Sequence, residues 1–470
     1  MKKHNNWFLL FICLCCIGCA SYPTNSKLDH FDKSSGYRFQ NLSSSDNTDS
    51  LFVILAFSGG GTRAAAFSYG VLEKLRDTTI NWKGKSRRLL DEVDVISAVS
   101  GGSFTAAYYA LYHDDIFKDY ESRFLKKNIK RELKLLLFSP INWLRLASPT
   151  FDRIDLATEY YDNHIFDHHT FIDLVSKGRR PYILINATDM SQGSRFEFTQ
   201  DQFDLICSDL SALPIARSVA ASSAFPVLLS PITLKNFAGG CSYQEPEWLE
   251  NALLDRDVAA RRFNEAVLQR SYMDSNDRPY VHLIDGGIAD NIGLRGPLHA
   301  LLSLDGGLSI LRMINMQKVE KVLIIIVNAR TNPDTTMDKC SISPGLKDVL
   351  MNVASVPMDN YSFDTIELFV QSSKQWEKDY QARKDCEHQL ETKCPGAELP
   401  GGQLVKVDFY PIVIGFESLD DVNEREFFKN LPTSFNLPPE TIDRIRGIAH
   451  RLISASNGYQ KLLRDLNSVP

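Results

Sequence analysis

Three clusters in the sequence hold residue types whose spacing suits acyl-transfer chemistry. The first is Val99-Ser100-Gly101-Gly102-Ser103, placed after the apolar run Val93 to Val99 and before the helix-compatible Phe104-Thr105-Ala106-Ala107. A serine on a sharp strand-to-helix turn projects its hydroxyl into the crevice at the strand's carboxyl end, and the turn needs small neighbours on both sides. Ser100 meets that requirement, with Ala98 standing where G-x-S-x-G has its first glycine. The helix that follows would aim its positive end at the reacting centre. Taken alone, the turn also reads as a plain strand-to-helix connection.

The second cluster is Ser58-Gly59-Gly60-Gly61-Thr62-Arg63, between an apolar run ending at Phe57 and the helix-compatible Ala64-Ala65-Ala66-Phe67. Consecutive glycines let backbone N–H groups converge on a phosphate or on a developing oxyanion. Neither G-K-[ST] nor G-x-G-x-x-G is matched, so Walker and Rossmann functions are excluded and an oxyanion hole is the better fit. The third cluster, Ile284-Asp285-Gly286-Gly287, closes another apolar run, on the edge where α/β folds place their sites. Asp285 there can accept the Ser100 proton directly; its plainer use is as a turn residue of the D-G pair. A carboxylate acting as base toward a serine needs hydrogen-bond reach and a partly dry site, which raises its pKa.

A Ser-Asp-His triad is the chemical rival, with His299, His388 and His450 following the acid in sequence. None of them falls in a loop after a late strand, where a triad histidine is expected, and each reads as a surface or satisfied core histidine.

These clusters must be positioned by regular elements. From Leu51 onward, short aliphatic runs alternate with helical stretches, which predicts an α/β fold with a mostly parallel sheet and helices on both faces. Strands are expected at Phe52 to Phe57, Val93 to Val99, Tyr182 to Asn186, Val281 to Ile284, Val322 to Val327 and Val405 to Val413. The last alternates and should lie nearer an edge. Helices are expected at Ala64 to Asp77, Gly102 to Leu111, Leu213 to Ala221, Gly296 to Leu302, Ser362 to Arg383 and Pro439 to Ser456. Residues 328–402 turn polar and are broken by Pro344, Pro357, Pro395 and Pro400, the composition of an insertion holding one long helix.

With 470 residues, 44% of them hydrophobic, the chain can bury a large core in one catalytic domain, assigned to residues 50–470. A net charge of -6 provides no field for a phosphate backbone, and a nucleic-acid partner is set aside. Residues 1–18 have the layout of an export signal: Lys2 and Lys3, then an apolar run from Trp7 to Ile17 that is shorter than the about 20 residues a spanning helix needs. Cys16-Ile17-Gly18-Cys19-Ala20 resembles the lipobox of bacterial lipoproteins, which makes Cys19 the expected lipid anchor. Ala20 after it resembles lipoproteins sorted to the outer membrane. Residues 19–49, rich in Ser, Asn and Asp, read as a flexible tether. Of the five cysteines beyond the signal, Cys386 and Cys394 are close enough to pair, with Cys340 a competitor and Cys207 and Cys241 also present. Their spacing carries no signal of a zinc site, and the chemistry calls for no cofactor.

Between Phe117 and Trp143 a basic stretch, including Lys126, Lys127, Lys130, Arg131 and Lys134, ends in Leu135-Leu136-Leu137-Phe138. Its ordinary reading is a solvated helix face with the apolar side in the core; a cationic helix with an apolar end also suits anionic lipid head groups.

The ordered set S-G-G-G-T-R, S-G-G-S and D-G-G, with Ala221-Ser222-Ser223-Ala224-Phe225-Pro226 before the last, is similar to the patatin-like phospholipase family. Asn186-Ala187-Thr188-Asp189 and Leu431-Pro432-Thr433-Ser434-Phe435 also look like its bacterial members, while Ser58, Ala64 and Ala98 depart from the pattern. The resemblance implies a three-layer α/β/α fold, a Ser-Asp dyad without a catalytic histidine, and hydrolysis of acyl esters in membrane lipids. By residue, it implies Ser100 as nucleophile, Asp285 as base, Gly59, Gly60 and Gly61 as the oxyanion loop, and Arg63 beside them as a substrate-binding group. The alternative expectation is a lipid-binding or scaffold lipoprotein that kept the fold without turnover.

Overall fold

The computed structural model describes residues 20–42, 47–226, 228–302, 318–333, 335–339, 341–393 and 406–467. The expected signal and Cys19 lie outside the described residues.

Among the described residues the central sheet has eight strands: β1 (Leu51–Phe57), β2 (Val93–Val99), β3 (Tyr182–Asp189), β4 (Arg195–Glu197), β5 (Ile232–Lys235), β6 (Tyr280–Asp285), β7 (Lys321–Asn328) and β8 (Asp408–Gly415). Their order is β8-β7-β1-β2-β3-β6-β5, with β4 pairing β3. Every residue of β1 and β2 is buried, as a strand covered on both faces requires. Each fully buried Val, Leu, Ile or Phe there contributes about 1.5–3 kcal/mol. β8, which alternates, stands at the sheet edge as its pattern predicts.

Helix α1 (Gly61–Arg76) follows β1, and α2 (Gly101–Tyr112) follows β2. Further on come α3 (Ile129–Phe138), α4 (Pro140–Leu146), α5 (Ile215–Ser222), α6 (Gly287–Asp290), α7 (Leu346–Lys393) and α8 (Pro439–Ala455). The helical spacing of Ile442, Ile445, Ile448, Leu452 and Ile453 buries all five, and α8 closes on α1. A Cβ at Gly70 would lie 2.8 Å from Ala449 Cβ, and Arg446 pairs with Glu73 at 2.7 Å.

The parallel run β8-β7-β1-β2-β3 gives way to antiparallel pairing at β6 and β5. Val99 pairs with Asn186, so Ala187, Thr188 and Asp189 of β3 project past the end of β2. β6 descends along that overhang, Leu283 against Asp189 and Asp285 against Ala187. The carboxyl end of an antiparallel strand thereby arrives at the level of Ser100.

Three expectations need correction. Residues 20–42 are not a loose tether: Ser26 and Lys27 pair with Asp209 and Ser208, Tyr37 is buried, and the buried Arg38 is bonded to Asp201 and, at 2.6 Å, to Asp204. The polar composition that reads as disorder here supplies ion-pair and hydrogen-bond partners to the body. The disulfide joins Cys207 and Cys241, while Cys386 is free and exposed; Cys340 and Cys394 lie outside the described residues. Closeness in sequence did not decide the pairing, because the fold brings two cysteines 34 positions apart together. Finally, α7 is longer than Ser362 to Arg383 and runs through Pro357. The spacing of Leu346, Leu350 and Val353 already fits a helix, a pattern that a break assigned at the proline obscures.

Candidate active site

Ser100 sits on the turn between β2 and α2 with φ 49° and ψ -119°, a left-handed conformation for a residue bearing a Cβ. Such backbone costs on the order of 1–3 kcal/mol and persists only where its surroundings over-determine it. Here they do: Ser100 N–H donates to Ser222 Oγ at 2.8 Å, and Ser222 Oγ donates to the Asn186 carbonyl at 2.6 Å. Gly101 has no alternative side chain, since a Cβ would lie 2.1 Å from the Gly61 carbonyl oxygen. The serine turn and the glycine turn are thus packed backbone to backbone, and α1 and α2 both begin at this point with their positive ends at the site.

Ser100 Oγ donates to Asp285 Oδ2 at 3.0 Å, and Gly287 N–H donates to Asp285 Oδ1 at 2.8 Å. The two residues are 185 positions apart and nearly enclosed, Ser100 at 8% and Asp285 at 2% exposure. Burial pushes the Asp285 carboxyl up to about 7 against the opposing pull of the Gly287 and Ser100 hydrogen bonds. Its backbone is pinned as well: Asp285 N–H donates to the Ala224 carbonyl at 3.0 Å, and Thr188 Oγ1 donates to the Asp285 carbonyl at 2.8 Å. A serine hydroxyl facing a carboxyl of near-neutral pKa has the geometry that a nucleophile and its base require. The histidines stand elsewhere in their contacts: His450 faces Glu73 at 3.7 Å and His388 is exposed on α7. The side chain of His299 lies outside the described residues.

The model of the patatin-like phospholipase family matches residues 55–298, from within β1 to beyond the D-G-G turn. The chain belongs to the patatin-like phospholipase family. It shares with that family of lipid hydrolases the large, mostly parallel sheet flanked by helices. No curated protein matches the chain at the level of sequence. Among solved structures it is similar to human GIVD cytosolic phospholipase A2, with 15% identity, a TM-score of 0.34, and 65% of this chain and 48% of that one covered. VipD from Legionella pneumophila is similar at 14% identity and a TM-score of 0.33, with 96% of this chain and 73% of that one covered. The chain therefore spans about half the length of the human enzyme.

Within this patatin-like site two expected roles change. Arg63 is not a substrate-binding group: its buried guanidinium donates to the Ala329 carbonyl at 2.9 Å, the Leu431 carbonyl at 2.7 Å and Thr433 Oγ1 at 3.1 Å. It clamps the end of β7 and the 431–435 loop onto the glycine turn, where Thr62 N–H also donates to the Ser434 carbonyl at 2.9 Å. Gly59 is not a free oxyanion donor, because its N–H is given to the Asn291 carbonyl at 2.9 Å. Gly60 and Gly61 carry φ values of 139° and 60°, which only glycine adopts without strain, and they shape the turn that faces Gly101.

Sequence reasoning missed the roles of Ser222, Thr188 and Asn291. Ser222 and Thr188 lie in the motifs A-S-S-A-F-P and N-A-T-D, and Asn291 lies four residues beyond the D-G-G turn. Their partners are backbone atoms of distant segments, which no spacing reveals. Asn291 Oδ1 is buried and unpartnered among the described residues, and a Cβ at Gly59 would lie 2.4 Å from it. Met358 of α7 also packs here: a Cβ at Gly287 would lie 2.2 Å from its Cε and 2.8 Å from Asn291 Oδ1.

Proposed function

We propose that the chain is a phospholipase A-like acyl hydrolase that cleaves carboxylic esters of membrane lipids through Ser100 and Asp285. The hydrogen bond of 3.0 Å between Ser100 Oγ and Asp285 Oδ2, in a site dry enough to hold that carboxyl near 7, carries the reading. In the first step Asp285 takes the hydroxyl proton as Ser100 Oγ attacks the ester carbonyl carbon. The tetrahedral oxyanion forms at the N-termini of α1 and α2. With the Gly59 and Ser100 N–H groups already donated elsewhere, Gly60 and Gly61 are the loop's donors to it. Loss of one such donor raises a barrier by about 2.7–4 kcal/mol. Asp285 then returns the proton to the departing alcohol oxygen, leaving an acyl-serine. In the second half Asp285 takes a proton from water, the hydroxide oxygen attacks the acyl carbon, and Ser100 is reprotonated as the fatty acid leaves.

We further propose that Cys19 carries the lipid anchor and that the chain works in the bacterial cell envelope at the outer membrane. Incorporation of a labelled fatty acid that is lost in Cys19→Ser checks the anchor.

For catalysis, a fluorophosphonate probe should label the wild type and fail to label Ser100→Ala, with Asp285→Asn labelled only slowly. Mass spectrometry of membranes incubated with wild type and Ser100→Ala should show lysolipid and fatty acid in the first alone. Equal labelling of Ser100→Ala and wild type would remove the dyad and leave a lipid-binding lipoprotein.

A further inference from the structure

The basic stretch ending at Trp143 buries Phe124, Leu125 and Ile129 as its ordinary reading expects, but not the apolar residues at its end. That end forms α3 and α4, joined at a corner that Asn142 fixes by donating from Nδ2 to the Leu136 carbonyl at 2.9 Å. Leu133 and Leu136 pack toward the core. Phe138, Ile141, Trp143 and Leu144 point outward at 71%, 74%, 57% and 65% exposure. The Trp143 ring is held in place by an Nε1–H bond to the Leu137 carbonyl at 2.8 Å, so its apolar body is presented rather than loose. Arg131, Lys134, Leu135 and Phe138 share one face of α3 by helical spacing, which sets cations beside the apolar tips. Lys130, Arg131 and Lys134 are exposed and form no ion pair among the described residues.

A second, independent observation locates the N-terminal segment. Tyr22 N–H donates to the Thr150 carbonyl at 2.6 Å, and the Ala20 carbonyl accepts from Ser148 Oγ, just beyond the end of α4 at Leu146. Ala20 directly follows Cys19 and the apolar run Trp7 to Ile17. Consecutive Cα atoms are about 3.8 Å apart, so a lipid on Cys19 departs one residue from a point already pinned beside α4.

We propose that the outer face of α3 and α4 is a membrane-docking surface. Phe138, Ile141, Trp143 and Leu144 enter the head-group and acyl boundary, and Lys130, Arg131 and Lys134 meet anionic head groups. Apolar side chains flanked by Lys and Arg are the composition of an interfacial helix. A second copy of the chain fits less well, because a self-paired face would set these unpaired cations against their own kind. Docking here requires only the surface and the exit point, and it stands whether or not Ser100 turns over.

The test uses the full chain with vesicles of phosphatidylethanolamine and phosphatidylglycerol carrying brominated acyl chains. Wild-type tryptophan emission should be quenched by a share that Trp143→Phe lacks, Trp7 contributing equally to both. In a Cys19→Ser background, Phe138→Ser/Ile141→Ser/Leu144→Ser should lower vesicle sedimentation by about tenfold. Fluorophosphonate labelling of Ser100 at wild-type rate shows that the variants are folded and keeps loss of docking distinct from loss of the dyad. Quenching unchanged in Trp143→Phe, or unchanged sedimentation of the triple variant, overturns the proposal. So does self-association of the Cys19→Ser chain that the triple variant abolishes, which would assign the face to a second copy.

Discussion

Two buried aspartates stand at opposite ends of the sheet. Asp94, at the start of β2, is paired with the Arg180 guanidinium and accepts from Val53 N–H at 2.8 Å and Asn47 Nδ2 at 3.1 Å. The carboxylate of Asp285, at the end of β6, accepts among the described residues from the Ser100 hydroxyl and the Gly287 N–H. Burial pushes the Asp94 carboxyl up to about 7, as it does that of Asp285, against the opposing pull of Arg180 and the Val53 N–H, so it is the guanidinium and the backbone donor that make Asp94 a strut. Asp285 faces a hydroxyl instead of a cation, so a serine proton lies within its reach. What separates the two is the partner buried with each, a guanidinium for Asp94 and a hydroxyl for Asp285.

Exchanging these carboxylates for amides should break the comparison most sharply. Asp285→Asn is expected to reduce ester turnover by about 10⁴-fold, the scale seen when a dyad or triad partner is lost. Asp94→Asn should leave probe labelling per folded molecule intact but cost about 3–5 kcal/mol in urea unfolding, because Arg180 would be left buried without its counter-charge. If both variants lost activity alike with unchanged stability, the division of roles would be wrong.

The next effect is on pH. Asp285 titrates at 3.8 when free and at about 7 in the fold, so the native state binds its proton more tightly than the unfolded chain. Its contribution to stability is therefore fully present below 3.8 and is lost as pH rises through about 7, and Asp285→Asn should gain stability relative to wild type above that point. Turnover runs the opposite way, because the base must be deprotonated. kcat/KM for a soluble ester should fall about tenfold per unit below neutrality and level off above it. A flat profile from pH 5 to 8 would contradict an Asp285 base.

The smallest effect tests the support of the serine turn. Ser222→Ala removes the acceptor for the Ser100 N–H, and the expected outcome is a kcat decrease of about tenfold with KM nearly unchanged. Recovery in Ser222→Thr would show that the hydroxyl, not the volume, positions Ser100.

Much of this site was legible beforehand, for a local reason. Ser100, the glycine turn and Asp285 each end an apolar run whose length and composition identify a strand, and small residues mark each tight turn. What stayed hidden depends on partners remote in the chain. Arg63 looked like a ligand group because its carbonyl partners, Ala329 and Leu431, carry no side-chain signature. Polar residues 20–42 looked unfolded because Asp201 and Asp204, which receive Arg38, lie about 160 positions away. The apolar tips of α3 and α4 looked like core because helical periodicity says which residues share a face but not what that face meets.

The sequence by itself determined the element types, the reactive residue types and the order in which they occur, since these follow from side-chain periodicity and backbone preference over a few residues. The tertiary structure alone decided that β6 runs antiparallel along the overhang of β3 and so delivers Asp285 to Ser100. A parallel strand of the same composition would end on the same pattern of residues. The direction of a strand is chosen by its neighbours' hydrogen bonds and by the burial of its flanks, and those are properties of the assembled sheet.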